Sequence, residues 1–142
     1  MTVAAILQGK GGEVIHVRST DSVLSAVGLL AERRIGCVPV VDDGRVVGIF
    51  SERDLVYRLA ADGPGALDLP IGAVMTAPAI TIAADTPVIH GLSLMTKRRI
   101  RHLPVVTDER LVGLVSIGDL VKHRIDRIES EAASLRDYIQ SA

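Results

Sequence analysis

Residues 33–56 carry a pattern that the chain contains twice, and this repetition is the strongest indication of its fold. The first copy reads RRIGCVPVVDDGRVVGIFSERDLV, and residues 98–121 read RRIRHLPVVTDERLVGLVSIGDLV, an offset of 65 positions. A short leader at 3–7 has an echo at 71–75. Apolar positions recur at the same 65-residue offset: Ile15 with Ile80, Val23 with Val88, and Leu29 with Leu94. A tandem repeat that fills the chain predicts two similar units packed about a pseudo-two-fold axis.

Composition narrows the class of protein. The chain has 142 residues, of which 48% are hydrophobic, and a net charge of −1. This length and hydrophobic content predict one folded, domain-sized unit. Only three residues are aromatic, which disfavours nucleic-acid binding by base stacking. No apolar run approaches the roughly 20 residues that span a bilayer, and no signal-peptide pattern opens the chain. We therefore expect a soluble, cytoplasmic protein.

Each repeat predicts the same order of elements. Helix-start signals at Thr20–Ser22 and Asp85–Pro87, with Pro87 at the first helical position, precede amphipathic spacing. Short strands are expected just before these helices, at 14–17 and 79–82. Paired apolar runs follow the helices, and the Asp43-Gly44 step is a strong hairpin signal. The runs lie at 37–41 and 46–50 in the first repeat, and at 102–106 and 111–115 in the second.

Two prolines and one cysteine stand inside these runs. Pro39 and Pro104 predict an edge strand or a bulge, since proline cannot donate to a sheet. Cys37 is the only cysteine, so no internal disulfide forms, and its apolar surroundings indicate a buried small hydrophobe. The predicted organisation is a first repeat with its leader helix at 1–70, a second repeat at 71–128 and a C-terminal helical extension at 129–142, with 62–70 as the linker.

The closing helix of the second repeat is unusually long. Its apolar residues are spaced by threes and fours throughout: Ile117, Val121, Ile125, Ile128, Ala132, Leu135 and Ile139. At 1.5 Å per residue the predicted rod is about 36 Å long. Such a helix either lies across its own repeat or contacts another subunit.

In both repeats an apolar strand runs directly into Ser-x-x-Asp, at Ser51–Asp54 and at Ser116–Asp119. This pattern predicts a capped helix start, in which serine and carboxylate bond reciprocally to the backbone. The same geometry suits a nucleotide, because a helix N-terminus attracts phosphate and a carboxylate accepts from ribose hydroxyls. Both readings remain open from the residues alone.

With these motifs in both halves, the sequence resembles the cystathionine-beta-synthase (CBS) domain family. The resemblance rests on Pro39–Asp42, Val47–Leu55, Arg101–Val106 and Gly113–Leu120, with the Val74-Met75-Thr76 step between them. It runs from about residue 3 to 128. It implies an α/β fold of two β-α-β-β-α repeats, whose two sheets meet across a pseudo-two-fold axis with two clefts between the repeats.

The resemblance also implies a function. Tandem CBS pairs, or Bateman modules, usually bind adenosine ligands such as AMP, ADP, ATP, NAD(H) or S-adenosylmethionine and regulate a partner protein without catalysis. By position, Asp54 and Asp119 bind ribose, and Ser51 and Ser116 lie near phosphate. The backbone of Ile15, His16 and Val17, and that of Ile80, Thr81 and Ile82, contacts adenine. Arg101 and His102 approach phosphate, and such pairs commonly form homodimers.

The repeats differ at the phosphate position. Where the second has Arg101-His102, the first has Gly36-Cys37, which offers neither charge nor strong donors. The second cleft is therefore expected to suit a phosphorylated ligand better. The first is expected to be weaker, to hold a different nucleotide, or to use Arg53 for the charge.

Other classes of function compete with this reading. Gly9–Gly12 departs from the P-loop pattern, and Gly113–Gly118 has one residue too many for a nucleophile elbow. The histidines show no metal-ligand spacing, so we expect no enzyme and no metal. A nucleic-acid binder remains an alternative, as does a ligand-free dimerisation or scaffold module. The former would use the basic helix ends at Arg33, Arg34, Arg98, Arg99 and Arg101.

Overall fold

The computed structural model describes residues 1–11 and 13–141. Gly12, part of the glycine-rich segment, and Ala142, the last residue of the predicted extension, lie outside the described residues. The helices are α1 (Val3–Lys10), α2 (Val23–Arg33), α3 (Glu52–Asp62), α4 (Val88–Arg98) and α5 (Ile117–Ser141). The strands are β1 (Cys37–Asp42), β2 (Arg45–Ser51), β3 (Ile82–Ala83), β4 (His102–Thr107) and β5 (Arg110–Ser116). The predicted linker contains a 3₁₀ helix at Gly63–Asp68, and a second 3₁₀ helix at Ile71–Ala73 opens the second repeat.

The strands form one sheet in the order β1-β2-β5-β4-β3. The expectation of two separate sheets was wrong, because the two hairpins join at a single antiparallel pair, Arg45 with Arg110. Each hairpin keeps the same internal register at an offset of 65 residues, with Cys37 opposite Ser51 and His102 opposite Ser116. The two hairpins of the sheet therefore have the same pairing, as the sequence repeat predicts.

The hairpin and proline predictions are confirmed. Asp43 and Gly44 both have positive φ, 52° and 79°, as the tight turns of two-residue hairpins require. Register shifts follow Pro39 and Pro104, between Val40 and Val41 and between Val105 and Val106. β1 is also the outermost strand on its side.

The predicted strands before the helices are much shorter than expected. In the first repeat only Val17 pairs with the sheet, through a parallel bridge to Val40. After Val17, the N–H and the hydroxyl of Ser19 both donate to the Asp42 carboxylate. Hydrogen bonds to a side chain therefore take the place of backbone pairing between strands here. In the second repeat the strand is Ile82–Ala83 rather than 79–82. Pro87 is the N-cap of α4, not its first helical residue.

Two hydrophobic cores lie side by side, and the leaders cross between them. Ile71, in the leader of the second repeat, is fully buried in the core of the first repeat. Val3, in the leader of the first repeat, is fully buried in the core of the second. Backbone bonds fix the exchange, with Val3 N–H donating to Thr86 and Ile71 N–H donating to Asp21. The crossover ties the two repeats into one unit.

Candidate functional site

The strand-to-helix corners have the geometry that the Ser-x-x-Asp pattern predicts. In the first repeat, the Ser51 N–H donates to Asp54 Oδ2 at 2.9 Å, and the Asp54 N–H donates to Ser51 Oγ at 3.3 Å. In the second, the Ser116 N–H donates to Asp119 Oδ2 at 2.9 Å, and the Asp119 N–H donates to Ser116 Oγ at 3.1 Å. Each carboxylate is therefore held at the start of a helix and keeps an oxygen, Oδ1, outside the cap.

Lys10 is the residue that sequence reasoning missed. Its ammonium lies 2.8 Å from Asp119 Oδ2 and also donates to the Leu114 carbonyl at 3.0 Å. It reaches this corner because α1 packs on β5, with Leu7 directly over Gly113. The signal in the sequence is Gly9-Lys10-Gly11, which fits no phosphate-loop pattern.

In the first repeat a neutral residue bonds the equivalent strand carbonyl and the other oxygen of the equivalent carboxylate. Thr76 exchanges two backbone bonds with Ile49, both of 2.9 Å, and its hydroxyl donates to Asp54 Oδ1 at 2.8 Å. Ile49 corresponds to Leu114 and Asp54 to Asp119 at the repeat offset. A neutral extended segment thus stands in the first corner where a lysine ammonium stands in the second.

Charges gather around the second corner. Burial raises the pKa of Asp119, but the hydrogen bonds from Lys10 and Ser116 outweigh it and hold the pKa below its usual range. Burial also lowers the pKa of His102; the nearby Asp119 carboxylate opposes that shift. Lys10 and Arg101 add to the lowering of the His102 pKa, and the Glu52 carboxylate, like that of Asp119, opposes it.

The first corner has the opposite charge at the equivalent place. The Glu52 carboxylate lies over Gly36, with its atoms 3.7–3.9 Å from where a Cβ on that glycine would stand. Arg53, one of the alternatives considered for the first site as a source of positive charge, is exposed on the first turn of α3. Cys37 is buried, as predicted, and burial together with Asp54 and Glu52 raises its pKa to about 12.

The two segments predicted to contact adenine differ in how far their residues are already bonded or buried within the sheet. The Val17 N–H donates to the Pro39 carbonyl, and the Val17 carbonyl accepts from the Val41 N–H. Both backbone groups of Val17 are therefore hydrogen-bonded to β1. Because successive backbone groups of an extended chain point to opposite sides, the backbone of His16 faces away from β1. Ile80 and Thr81 are half-buried before β3, and Ile82 is buried within it.

A wide cleft of about 890 Å³ lies at the tip of the β1–β2 hairpin. Its lining includes His16, Asp42, Asp43 and Arg110. Among the predicted site residues only His16 borders it, so this cleft is separate from both Ser-x-x-Asp corners. Within the described part of the chain, no group of three or more metal-ligating side chains converges.

The chain belongs to the CBS domain family: the family model matches residues 12–61 and 71–126. A relative, the mitochondrial CBS domain-containing protein CBSX3 of Arabidopsis thaliana, is 32% identical over 98% of this chain and 72% of its own length. Across residues 1–11 and 13–141, no helix has the length and apolarity to cross a membrane.

Two solved structures of similar fold contain adenosine compounds. The CBS domain pair of protein MJ0100, in complex with 5′-methylthioadenosine and S-adenosyl-L-methionine, is 31% identical with a TM-score of 0.78, over 89% of this chain and 98% of that one. The CBS domain protein PAE2072 from Pyrobaculum aerophilum, complexed with AMP, is 26% identical with a TM-score of 0.74, over 84% of this chain and 89% of that one. The tandem CBS fold is thereby established for this chain.

Proposed function

We propose that this chain is a non-catalytic regulatory module that binds an adenosine nucleotide at the corner formed by Ser116 and Asp119. The observation that carries the proposal is the cluster of Lys10, Arg101 and His102 around a capped carboxylate. A carboxylate accepts from ribose hydroxyls, and neighbouring cations favour a phosphate. The adenosine compounds bound by related CBS pairs support the ligand class.

The ribose would use the carboxylate oxygen that the cap leaves available. Asp119 Oδ2 accepts from Ser116 and Lys10, so Oδ1 is the oxygen we assign to the sugar. Adenine would lie against the segment at 80–82, and Arg101 would meet the phosphate. Lys10 would turn from the carboxylate toward that phosphate, because it is half-exposed and its stem is flexible.

The first corner is proposed as a weaker or different site. Ser51 and Asp54 retain the ribose geometry, and His16 and its neighbours at 15–17 remain the candidate adenine segment. Thr76 already bonds the available oxygen of Asp54, and Glu52 would repel a phosphate. A ligand with less negative charge, such as an uncharged nucleoside derivative, fits this corner better than AMP.

Regulation requires a partner, and we expect two chains to associate first. Large apolar side chains are exposed along α5 and elsewhere on the helical faces, and such faces usually mark interfaces. A homodimer of about 30 kDa, twice the chain mass of 15.1 kDa, would place four repeats together. Ligand binding would then shift the angle between repeats and alter the surface offered to a regulated protein. We expect the dimer to act in the cytoplasm.

A thermal-shift screen tests the ligand class. AMP, ADP, ATP, NAD(H) and S-adenosylmethionine are compared with GMP and GTP on the full chain. A ligand at 100 times its dissociation constant stabilises the folded state by about 2.7 kcal/mol. Stabilisation by an adenosine compound, absent with guanosine compounds, is the expected result. A screen in which no adenosine compound raises the melting temperature would overturn the proposal and favour a scaffold without ligands.

A further inference from the structure

The second half of α5 is a helix without tertiary support. From Arg124 to Ser141 every side chain is exposed except the half-buried Ala132. In proteins most helical stability comes from the packing of an apolar face rather than from helix propensity. A covering surface is therefore missing from the single chain.

The exposed apolar residues of α5 follow a heptad. Counting Ile125 as position a, the a positions are Ile125, Ala132 and Ile139, and the d positions are Val121, Ile128 and Leu135. The five large ones are 40–64% exposed. Six apolar residues in unbroken a/d spacing form a seam typical of a coiled coil. Leu120, which is fully buried in the second core, lies beside this seam rather than on it.

The charged residues that flank the seam specify a partner. In a parallel, in-register pair, each g residue faces the e residue of the next heptad on the other helix. Arg124 at g then faces Glu129 at e, and Glu131 at g faces Arg136 at e. Both contacts join opposite charges in each direction across the two-fold axis.

An antiparallel pair that buries the same seam would bring like charges together at the flanking positions. There g faces g and e faces e, so Glu129 meets its own counterpart, Glu131 meets its own counterpart, and Lys122 meets Arg136. All three contacts join like charges. A membrane surface is also a poor partner, because α5 carries five acidic and four basic residues, whereas interfacial helices are rich in Lys and Arg.

We propose that residues 121–139 form a parallel two-stranded coiled coil with the same segment of a second chain. The inference deepens the proposed dimer: it sets the second repeats of the two chains side by side, with both chains pointing the same way. It does not depend on which nucleotide binds.

Position-specific substitutions in the full chain test the seam. Leu135→Asp places a charge at d, and Ser134→Asp places the same charge at c, away from the seam. Sedimentation equilibrium is expected to give a dimer dissociation constant at least tenfold higher for Leu135→Asp and unchanged for Ser134→Asp. A Leu135→Asp chain that dimerises as tightly as the wild type would overturn the coiled coil and leave the dimer standing. A wild-type monomer at micromolar concentration would overturn both.

A mixing experiment tests the flanking charges. Glu131→Arg and Arg136→Glu each create like-charge contacts in a homodimer, so each variant alone is expected to dissociate more readily. An equimolar mixture restores both attractive contacts and is expected to form heterodimers. Rescue by mixing excludes loss of the Arg127–Glu131 pair within one helix as the cause. Failure of the mixture to associate better than either variant contradicts the proposed pairing.

Disulfide trapping tests the orientation. Leu135→Cys is expected to cross-link to itself under mild oxidation in a parallel pair, whereas Ser134→Cys is not. Cys37 does not interfere, because it is buried. An antiparallel pair would place Leu135 opposite Ile125 instead, so absence of the Leu135→Cys cross-link in a dimeric sample overturns the parallel arrangement.

Discussion

Single atoms distinguish the two Ser-x-x-Asp corners. Both carboxylates are capped in the same way, but Asp119 bonds to an ammonium and Asp54 to a hydroxyl. A charged donor near the ribose position makes the corner favour an anionic ligand. The attraction between an ammonium and an anion acts over a longer distance than a hydrogen bond from a hydroxyl. Lys10 therefore carries the preference for phosphate in this account.

Replacing Lys10 with Met should show whether the Lys10 ammonium attracts the phosphate of a ligand or only blocks the site. Lys10→Met is expected to weaken AMP binding about tenfold, corresponding to one lost charged hydrogen bond, and to affect adenosine much less. Isothermal titration calorimetry with both ligands measures the difference, with the exposed Lys97→Met as the matched control. Tighter adenosine binding with unchanged AMP binding would mean that Lys10 only blocks the site.

The lowered pKa of Asp119 predicts a pH dependence of stability. Its folded pKa lies below the unfolded value near 4, so the charged carboxylate stabilises the fold above that value. This contribution disappears as pH falls through the folded pKa. Asp119→Asn keeps the shape but not the charge, and urea unfolding is expected to show the wild type more stable at pH 7. Below about pH 4 the difference should shrink, and a gap that stays constant with pH would contradict the assignment.

At the scale of elements, close packing of the leaders sets the corners in place. The leader of each repeat presses a long side chain on a strand glycine of the other repeat, Leu7 on Gly113 and Met75 on Gly48. A Cβ at Gly48 would lie 2.6 Å from Met75 Sδ and 2.9 Å from the Thr76 carbonyl oxygen. The second contact is backbone, which cannot swing aside as a flexible side chain does.

Gly48→Ala is therefore expected to destabilise the fold by about 1–3 kcal/mol, the usual effect of overpacking. Gly28 offers the control, because it is exposed in α2 and no atom lies within 4 Å of its missing Cβ. Gly28→Ala should be neutral or stabilise by up to about 1 kcal/mol through helix propensity. Chemical denaturation measures both. Equal stabilities for the two variants would show that the leader does not hold the strand closely.

Sequence patterns predicted the elements far better than the contacts between them. Helix starts, hairpin turns and the long α5 follow from local rules of capping, turn chemistry and periodicity, which neighbouring residues decide. The short pairing at Val17 and the single joined sheet depend on where distant segments meet, which no local pattern encodes. Lys10 was missed for the same reason, since 109 positions separate it from Asp119.

At the scale of the whole molecule, duplication gives two corners that have since diverged. The backbone sets Arg101 and His102 beside the second corner, because the Ile117 N–H donates to the Arg101 carbonyl and His102 pairs with Ser116. At the first corner the Glu52 carboxylate covers Gly36. Because the crossed leaders couple the repeats, we expect a ligand in one corner to act on elements of both. A module of this kind is suited to convert occupancy of one site into a change of shape.

Unequal sites are the first consequence for binding. We expect a titration with AMP to resolve one stronger site per chain, with any second site weaker by at least tenfold. Arg101→Ala should weaken the stronger site and leave the weaker one unchanged, whereas Arg33→Ala, at the exposed end of α2, should alter neither. Two identical and independent sites, or equal effects of Arg101→Ala on both, would contradict the divergence.

The most direct test of the central claim is calorimetric titration of AMP into the wild-type chain and its Asp119→Ala variant. The exposed Asp126→Ala, on the same helix, is the matched control. Loss of the cap costs only about 1 kcal/mol, so the variant should remain folded by circular dichroism. We expect strong AMP binding to the wild type and the control, and a loss of at least a hundredfold in affinity for Asp119→Ala. Unchanged AMP affinity in a folded Asp119→Ala chain would contradict this expectation.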